Sequence, residues 1–372
     1  MEIRKTRAND LSAIKGIYVH ARELMRREGN DSQWVNGYPS EELVKEDIEK
    51  GNSHVITDGE VICGVFALID GRDPTYELIE GGAWIDDNRP YATIHRMGRA
   101  KGKHGIFVTA IGWCRQHATS LRIDTHEKNL TMRTLIEKSG FERRGIIYVA
   151  DGSPRIAYQM LETGILCKPL EEYIENEILP RYDTFDAAHR QDHVQTVIDN
   201  SIELAGHYDV DINMVYAIAA YHDTGLSDGR ERHHLMSGNI IRNDTELRRW
   251  FSETQIETMA EAVEDHRASA GHAPRSIYGK IVAEADRDIE PFKIVRRTVE
   301  YGLCNMPSLC KEEQWQRTVA HLQEKYAEGG YMKLWLPESK NAENLRQLRE
   351  IISDKERLRE LFEQFYASKG NK

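Results

Sequence analysis

A change of pattern near residue 162 divides this chain into two parts with different folds. In the first part, short apolar runs typical of strands alternate with amphipathic segments, and tight-turn signals such as Asp58-Gly59 separate neighbouring runs. In the second part, the apolar residues recur at helical spacing. The sequence therefore predicts two domains, an α/β domain over residues 1–162 and an all-α domain over residues 163–372.

The composition is that of a soluble globular protein, with 40% hydrophobic and 30% charged residues among 372. No apolar run is long enough to span a bilayer, and the N-terminus lacks the apolar segment of a signal peptide. The five cysteines are scattered without a Cys-x-x-Cys pair, so we expect no disulfides and a cytoplasmic location. A net charge of −11 argues against general nucleic-acid binding.

An amphipathic stripe near the C-terminus predicts one long helix over residues 341–370, a helical extension of the second domain. The apolar positions of this stripe are Leu345, Leu348, Ile351, Ile352, Leu358, Leu361, Phe362 and Phe365. Two interpretations stay open. The stripe packs on the chain's own helical bundle, or it joins two copies of the chain in a homodimer.

Four side chains that can bind a divalent metal stand in the order His, His-Asp, Asp along the second part, namely His193, His222, Asp223 and Asp286. The apolar run AIAAY leads into His222 and Asp223, and a Thr-Gly break follows them, so the pair lies at the end of a buried segment. Burial of an unpaired carboxylate costs several kcal/mol, and a bound metal offsets that cost. Because imidazole with carboxylate suits Mn, Fe, Ni, Zn or Mg, we predict a divalent-metal site.

With its surroundings, this pattern resembles the HD superfamily of metal-dependent phosphohydrolases. The strings that carry the resemblance are DHVQTVI, AYHDTG, HHLMSGNII, AVEDHRAS and KIVAEADRDIE, within residues 186–291. The resemblance implies an all-helical bundle with His193, His222, Asp223 and Asp286 as metal ligands. It also implies that a metal-bound water attacks phosphorus in a small phosphate ester, with a nucleotide as the expected substrate.

Two further histidines extend this site through the same resemblance. His234 and His266 stand where some family members hold a second metal and others contact the substrate phosphate, so both are catalytic candidates; the alternative is a hydrogen bond within the bundle. We expect one ion rather than two, because a second ion would need more ligands. Candidate phosphate partners are Arg190, Arg267, Arg275, Lys280 and Arg287.

The first part resembles the GCN5-related N-acetyltransferases (GNAT) over roughly residues 1–161. The matching strings are HRMGRAKGKHGIFVTAIGWC, LRIDTHEKNLTMRTLIEKSGFERRGIIY and DGSPRIAYQ. The resemblance implies an acyl-CoA N-acyltransferase fold with a central mixed sheet, and acetyl-CoA bound where a strand gives way to a helix through a glycine-rich loop. The residues that it places at the cofactor are Met97, Gly102, Lys103, His104, Gly105, Ile106, Phe107 and Asn129.

The glycine-rich loop departs from the Arg/Gln-x-x-Gly-x-Gly/Ala spacing of that family. Counting from Arg99 puts Gly102 in the first glycine place and His104 in the second. Counting from Gly102 puts Gly105 and Phe107 in those places. A bulky residue in the second place narrows the pyrophosphate site or abolishes cofactor binding, and both outcomes stay open.

Acetyl transfer needs an amine positioned against the thioester and a group that removes the amine proton. Glu80 and His95 are the candidates for that base. The family often has a Tyr as the acid toward the leaving thiolate, whereas this chain has Ile136 in that place. Tyr148 and Cys114 are the possible substitutes.

The sequence thus predicts a bifunctional cytoplasmic enzyme. An acetyl-CoA-dependent N-acetyltransferase for a small amine precedes a divalent-metal-dependent phosphohydrolase for a nucleotide or another small phosphate ester. The alternative is a phosphohydrolase regulated by a non-catalytic domain that senses acyl-CoA. The expected partners are these small molecules, with no nucleic acid and no membrane.

Overall fold

A computed structural model describes residues 1–184, 191–229, 231–267 and 272–370 of the chain. These residues form two compact units. The first comprises Met1–Glu172 with Thr245–Thr254, and the second comprises Tyr173–Asp244 with Gln255–Lys372. The boundary at residue 162 stays a prediction.

The first unit contains a seven-stranded mixed sheet. Its strands are β1 (Glu2–Lys5), β2 (Ser53–Asp58), β3 (Val61–Asp70), β4 (Ala92–Arg99), β5 (Ser120–Thr125), β6 (Glu142–Tyr148) and β7 (Pro154–Leu161). They lie in the order β1-β2-β3-β4-β5-β7-β6. Only β4 and β5 pair in parallel, from Ala92 opposite Leu121 to Ile94 opposite Ile123, and the other neighbours are antiparallel. The prediction of an α/β fold with a central mixed sheet is confirmed.

Two Asp-Gly pairs predicted the hairpins of this sheet. Asp58 pairs with Val61 across the turn that contains Gly59, which has a φ of +59°. Tyr148 pairs with Pro154 across the turn that contains Gly152, whose φ is +80°. Because a positive φ strains every residue except glycine, these turns occur where the sequence supplies glycine.

The helices of the first unit are α1 (Leu11–Arg27), α2 (Glu41–Glu49), α3 (Ile106–Cys114) and α4 (Leu130–Lys138). The next helix, α5 (Lys168–Tyr173), ends at the residue where the second unit begins. The sequence pattern did not predict α2, which begins where the Ser40 hydroxyl accepts the Leu43 N–H. Helices α3 and α4 pack on the sheet through Ile106, Ala110 and Ile136.

The described residues of the second unit form helices and no strand. The helices are α6 (Gln191–Ala205), α7 (Ile212–Tyr221), α8 (His233–Asn243), α9 (Glu253–Glu264), α10 (Ile277–Ala285), α11 (Pro291–Asn305), α12 (Lys311–Tyr326), α13 (Lys340–Ser353) and α14 (Lys355–Gly370). The prediction of an all-α second domain is confirmed over this part.

The prediction of one long C-terminal helix was wrong. The chain leaves helical geometry at Asp354, whose φ and ψ are −86° and 92°. The Asp354 carboxylate accepts the Arg357 N–H at 3.0 Å and so caps the start of α14. Leu348 and Leu358 on either side of this break are buried in one core cluster. The apolar stripe therefore packs within its own unit.

Two expectations about the whole chain concern cysteines and membranes. All five cysteines lie in the described part, and none forms a disulfide. No helix among the described residues has the length and hydropathy of a membrane span.

Candidate functional site

Helix α7 ends at the two residues that centre the predicted metal site. The helix is buried along its length, and His222 is its C-terminal cap. The Thr224 hydroxyl donates to the Tyr221 carbonyl at 2.8 Å, which closes the turn. His222 is fully buried and Asp223 is 4% exposed. The sequence break after the apolar run thus holds both side chains inside the bundle.

Tyr182 fixes the position of Asp223. Its buried hydroxyl donates to the Ala220 carbonyl at 2.9 Å and accepts the Asp223 N–H at 3.2 Å. A buried hydroxyl that both donates and accepts restrains the turn on two sides. This contact joins two distant parts of the chain, so no local pattern indicated it.

His193, His222 and Asp286 form the first group of potential ligands. His193 comes from α6, His222 from the end of α7, and Asp286 from the residue that follows α10. The Oδ1 atom of Asp286 lies 3.2 Å from Nε2 of His193 and 3.8 Å from Nε2 of His222. The Oδ2 atom of Asp223 lies 3.9 Å from Nε2 of His193 and 3.4 Å from Nε2 of His222, so all four predicted ligands lie together.

Asp223, His233 and His266 form a second group. The Oδ1 atom of Asp223 lies 3.2 Å from Nε2 of His233 and 3.5 Å from Nε2 of His266. The Oδ2 atom of Asp223 lies on the other side, 3.4 Å from Nε2 of His222. Asp223 thus contacts both groups, one through each carboxylate oxygen.

Backbone hydrogen bonds orient two of these imidazoles. Nδ1 of His222 donates to the Ala219 carbonyl at 2.7 Å, and Nδ1 of His266 donates to the Val263 carbonyl at 2.6 Å. With its proton on Nδ1, each ring presents the lone pair of Nε2 to the site, as metal-ligating histidines commonly do.

These groups fit a divalent metal. Nε2 of His222 is buried and makes no hydrogen bond in the described structure. An acceptor nitrogen left in that state is costly unless a ligand completes it. Imidazole and carboxylate together are a donor set that suits Mn, Fe, Ni, Zn or Mg. Each group supplies three such donors whose atoms lie within 4.8 Å of one another.

The electrostatics keep both carboxylates ionised. Burial by itself raises the pKa of Asp223, but the charge of His222, whose Nε2 lies 3.4 Å away, outweighs it and holds that pKa well below its usual range. Burial also raises the pKa of Asp286, but the hydrogen bond from His193 outweighs this effect, and the pKa is lowered. Burial lowers the pKa of His222, yet Asp223 outweighs that effect and raises it to about 9. Protons and metal ions therefore compete for this site.

Gly225 allows α8 to approach the His-Asp turn. A Cβ atom there would collide with the His233 carbonyl oxygen and would lie 2.6 Å from the Ser237 nitrogen. The Gly225 N–H also donates to the Ser237 hydroxyl at 2.8 Å. Because this contact places the first turn of α8 beside Asp223, the glycine positions His233.

The structure brings the predicted ligands together and adds one more. His193, His222, Asp223, Asp286 and His266 meet in two groups of three. Asp223 joins the groups, since its Oδ2 atom also lies 3.9 Å from Nε2 of His193 and 3.4 Å from Nε2 of His222. The expectation of one ion stays a prediction. His234 belongs to neither group, and His233, which the sequence did not suggest, completes the second. The buried Nδ1 of His234 makes no described hydrogen bond, and burial lowers its pKa to about 4.

A cavity of about 540 Å³ opens on His193 and Asp286. Arg287 is the one predicted phosphate partner among its described lining residues. Arg275 instead pairs with Asp265 and Glu264. Arg267 donates to the Glu231 carbonyl, and Arg190 lies outside the described residues.

In the first unit, a second cavity of about 490 Å³ lies where β4 and β5 stop pairing. Arg96 lies two residues after Ile94, the last β4 residue that pairs with β5, and has a φ of +53°. Its side chain forms an ion pair with Asp47 at 2.7 Å. His95, Met97 and Asn129 line this cavity.

The glycine-rich loop turns the chain from β4 into α3. Gly102 and Gly105 have φ values of +76° and +75°, and Gly105 caps α3. The predicted cofactor residues do not all line one cavity. Met97, Ile106, Phe107 and Asn129 line a smaller cavity of about 90 Å³, whereas Gly102, Lys103, His104 and Gly105 are not among its described lining residues.

Two of these residues already have polar partners. Asn129 caps α4, since its side-chain oxygen accepts the Met132 N–H at 3.2 Å, and its amide donates to Gln33. The Lys103 ammonium lies 3.3 Å from the Asp58 carboxylate. Asn129 therefore has a structural role whether or not it contacts a cofactor.

The predicted acid and base candidates lie in different places. Nε2 of His95 is 3.0 Å from the Asp73 carboxylate inside the larger cavity, and this hydrogen bond lowers the pKa of Asp73 to about 2. The Tyr148 hydroxyl donates to Glu80 at 2.8 Å, and neither residue is among those lining that cavity. The sequence pattern did not indicate Asp73, whose one local signal is the Asp-Pro turn that follows β3.

The thiol candidate and the position of the family tyrosine are both inaccessible. Cys114 is fully buried, and burial raises the pKa of its thiol far above the usual range. Ile136 is also fully buried in the core between α4 and the sheet. Neither residue can reach a leaving thiolate.

Comparison with known proteins identifies relatives for each part. Residues 190–288 match the family model for the HD domain. A GNAT-family acetyltransferase from Streptococcus agalactiae is 31% identical, and the match covers 43% of this chain and 94% of that chain, with a TM-score of 0.40. A GNAT-family acetyltransferase from Listeria monocytogenes is 18% identical over 43% of this chain and 94% of that chain, with a TM-score of 0.33.

A third structure is similar to the chain over 40% of its length. This predicted HD superfamily hydrolase from an uncultured Thermotogales bacterium is 18% identical, with 82% of that chain covered and a TM-score of 0.28. The comparison with curated proteins found no match.

Proposed function

The chain belongs to the GNAT acetyltransferase family through its N-terminal part and contains an HD domain at residues 190–288, and from this premise we propose that it is a bifunctional enzyme. The helical part is a divalent-metal-dependent phosphohydrolase for a nucleotide or another small phosphate ester. The N-terminal part is an acetyl-CoA-dependent N-acetyltransferase for a small amine. Its five cysteines without disulfides suit the cytoplasm that we propose as its location.

One observation carries the hydrolase proposal. Asp223 is shared between two groups of ligands, and His222 and His266 both direct Nε2 into them. A divalent ion held there would lower the pKa of a bound water and polarise a phosphoryl oxygen. His193, His222 and Asp286 would hold one ion, and Asp223, His233 and His266 would hold the other.

The chain's own residues bind and orient the substrate. Arg287, Lys293 and Arg297 line the cavity beside His193 and Asp286, and their positive charges attract a phosphate group. Hydrolysis forms a bond from a water oxygen to phosphorus and breaks the ester P–O bond, and the leaving alkoxide takes a proton. Tyr182 does not contact the substrate in this mechanism but keeps Asp223 in place.

A phosphatase screen tests this proposal. The full chain is assayed for phosphate release from nucleotides and other phosphate esters with several divalent metals. EDTA should abolish the activity, and Mn²⁺ or another divalent ion should restore it. Replacement of Asp223 with Ala should remove both bound metal and hydrolysis while leaving any acetyltransferase activity intact. Full hydrolysis and full metal content in Asp223→Ala would contradict the ligand assignment.

The acetyltransferase proposal rests on the larger cavity of the first unit. His95 lines it with Asp73 at hydrogen-bond distance, and Trp34 and Tyr38 supply an apolar wall for an amine. In this site His95 removes the amine proton as nitrogen attacks the thioester carbonyl, and the bond to the CoA sulfur breaks.

One observation favours the alternative, a domain that senses acyl-CoA without catalysis. Phe107 is buried at the start of α3. When the loop is counted from Gly102, Phe107 stands in the second glycine place, where the family has a small residue. Glu80 and Tyr148 are bonded to each other outside the larger cavity.

Titration calorimetry with acetyl-CoA and a screen of amine acceptors distinguish the two functions. Binding with turnover supports the enzyme, and binding without turnover supports the sensor. If neither binding nor turnover is found, both proposals for the N-terminal part fail.

A further inference from the structure

Most of the residues that line the cavity beside His193 and Asp286 are polar. Its apolar described residues are Val197, Leu204 and Ala285, and all three are buried. None of the described lining residues is Phe, Tyr or Trp, and the rings that they do provide are the imidazoles of His193 and His207. The described lining therefore offers no aromatic carbon ring on which a flat apolar group can stack.

Nucleotide bases and hydroxylated chains need different surroundings. A base contributes binding energy through its π-face, which stacks on aromatic or apolar side chains. A polyol presents hydroxyl groups, and each hydroxyl both donates and accepts a hydrogen bond. Amide and carboxylate side chains satisfy hydroxyl groups but do not replace a stacking partner.

Amides and carboxylates surround this cavity on several helices. Asn200 on α6 and Asn344 on α13 both line it, and Glu203 on α6 adds a carboxylate. The Asn200 amide donates to the Ala285 carbonyl at 3.3 Å, and its side-chain oxygen can accept from a ligand. Glu203 also accepts from the Lys340 ammonium at 2.5 Å. Together these groups match a ligand with several hydroxyls.

The cations of the cavity are suited to the phosphate end. Lys293 and Arg297 are one helical turn apart on α11 and share Asp288, with Arg297 Nη1 at 4.0 Å from its Oδ2 atom. Arg297 is 59% exposed, so its guanidinium can turn toward a phosphate. The same cavity wall contains His193 and Asp286, where the ester bond has to lie.

We propose that this cavity takes a polyhydroxylated phosphate ester, that is, a polyol or sugar phosphate, in preference to a nucleotide. This inference rests on the proposed phosphohydrolase function and narrows its substrate. Asn200 and Asn344 form hydrogen bonds with the hydroxyl groups, and Arg297 binds the phosphate.

The substrate comparison uses the full chain loaded with Mn²⁺. Ribitol 5-phosphate and glucose 6-phosphate are compared with AMP and dCMP by phosphate release. We expect kcat/KM at least tenfold higher for the better of the two hydroxylated esters than for either nucleotide. Equal or higher values for a nucleotide would overturn the inference while leaving the hydrolase function in place. If none of the esters releases phosphate in a metal-dependent way, the inference and the function beneath it fail together.

A binding measurement gives a readout that does not depend on turnover. Ribitol 5-phosphate and AMP are titrated into the EDTA-treated full chain, and the polyol ester should bind at least fivefold more tightly. The variant Asn344→Leu should lose that preference, whereas Gln347→Leu on the exposed face of α13 should keep it. Tighter binding of AMP to the unsubstituted chain would refute the inference, even if Asn344→Leu failed to fold.

The phosphate end is tested with adjacent arginines. Arg297→Gln should weaken binding of ribitol 5-phosphate at least fivefold and leave binding of ribitol unchanged. Arg296→Gln, its exposed neighbour outside the described lining, is the matched control and should bind like the unsubstituted chain. An equal loss in both variants would indicate a general charge effect and would count against Arg297 as the phosphate ligand.

Discussion

Nε2 of His233 lies 3.2 Å from Oδ1 of Asp223, while Oδ2 of the same carboxylate lies 3.4 Å from Nε2 of His222. One aspartate thus joins two sets of ligands. Since a carboxylate has two oxygens with separate lone pairs, it can serve one ion on each side. The four predicted ligands therefore lie together, and His233 and His266 add a second set on the other oxygen of Asp223.

The number of bound ions depends on His233 and not on His234. We expect about two divalent ions per chain after loading with Mn²⁺, and about one in His233→Gln, because that change removes a ligand of the second group. Elemental analysis by mass spectrometry measures the content. His234→Gln, the neighbouring control, should retain both ions. A loss in His234→Gln with full content in His233→Gln would reverse the assignment.

Gly225→Ala should separate α8 from the His-Asp turn. The added methyl would collide with the His233 carbonyl, and relief of such overpacking costs about 1–3 kcal/mol. We expect a lower urea midpoint and loss of the ion held by His233. Gly112→Ala in α3 meets no atom within 4 Å, so stability should stay equal or rise by up to about 1 kcal/mol. Unchanged metal content and stability in Gly225→Ala would show that α8 is not held by this contact.

The rate of acetyl transfer should depend on His95 and not on Glu80. If the N-terminal part is catalytic, His95→Gln should lower kcat by about 10²-fold or more, as expected for loss of a general base. Glu80→Gln should leave kcat within about twofold, because Glu80 bonds to Tyr148 away from the larger cavity. A coupled assay of CoA release measures both variants. The opposite ranking would move the base to the Glu80–Tyr148 pair.

His54 should make the first unit sensitive to acid. Its ring is 5% exposed beside Phe66 and Trp113, and burial lowers its pKa to about 4. Between pH 6.5 and 4 the unfolded chain binds a proton that the folded chain does not, so stability falls as the pH decreases through this window. The loss that His54 causes between pH 6.5 and pH 5 is about 1.6 kcal/mol.

Urea unfolding at pH 6.5 and pH 5 checks this expectation. His54→Gln should show a smaller loss of stability on acidification than the unsubstituted chain. His272→Gln is the control, since the His272 side chain is 60% exposed. An equal loss in all three proteins would assign the acid sensitivity to other groups.

The local pattern of residues predicted most of the fold. Asp-Gly pairs and alternating apolar runs located the hairpins, and apolar spacing located the helices that carry His193 and His222. These features depend on neighbours within a few residues, and the chain shows them directly. The break at Asp354 was missed because the apolar stripe continues in phase across it, and only the capping bond to Arg357 interrupts the helix.

The ligand chemistry was also visible in the residue order, since His, His-Asp and Asp types at buried helix ends indicate a metal. The division of those ligands into two groups was not visible in the residue order. His233 and His234 are adjacent at the start of α8, and which imidazole reaches Asp223 depends on the contact of that helix with Gly225. Likewise, the Asp73–His95 pair joins the segment after β3 to the middle of β4. The residue types therefore come from the chain, while their pairing depends on packing between segments that are distant in sequence.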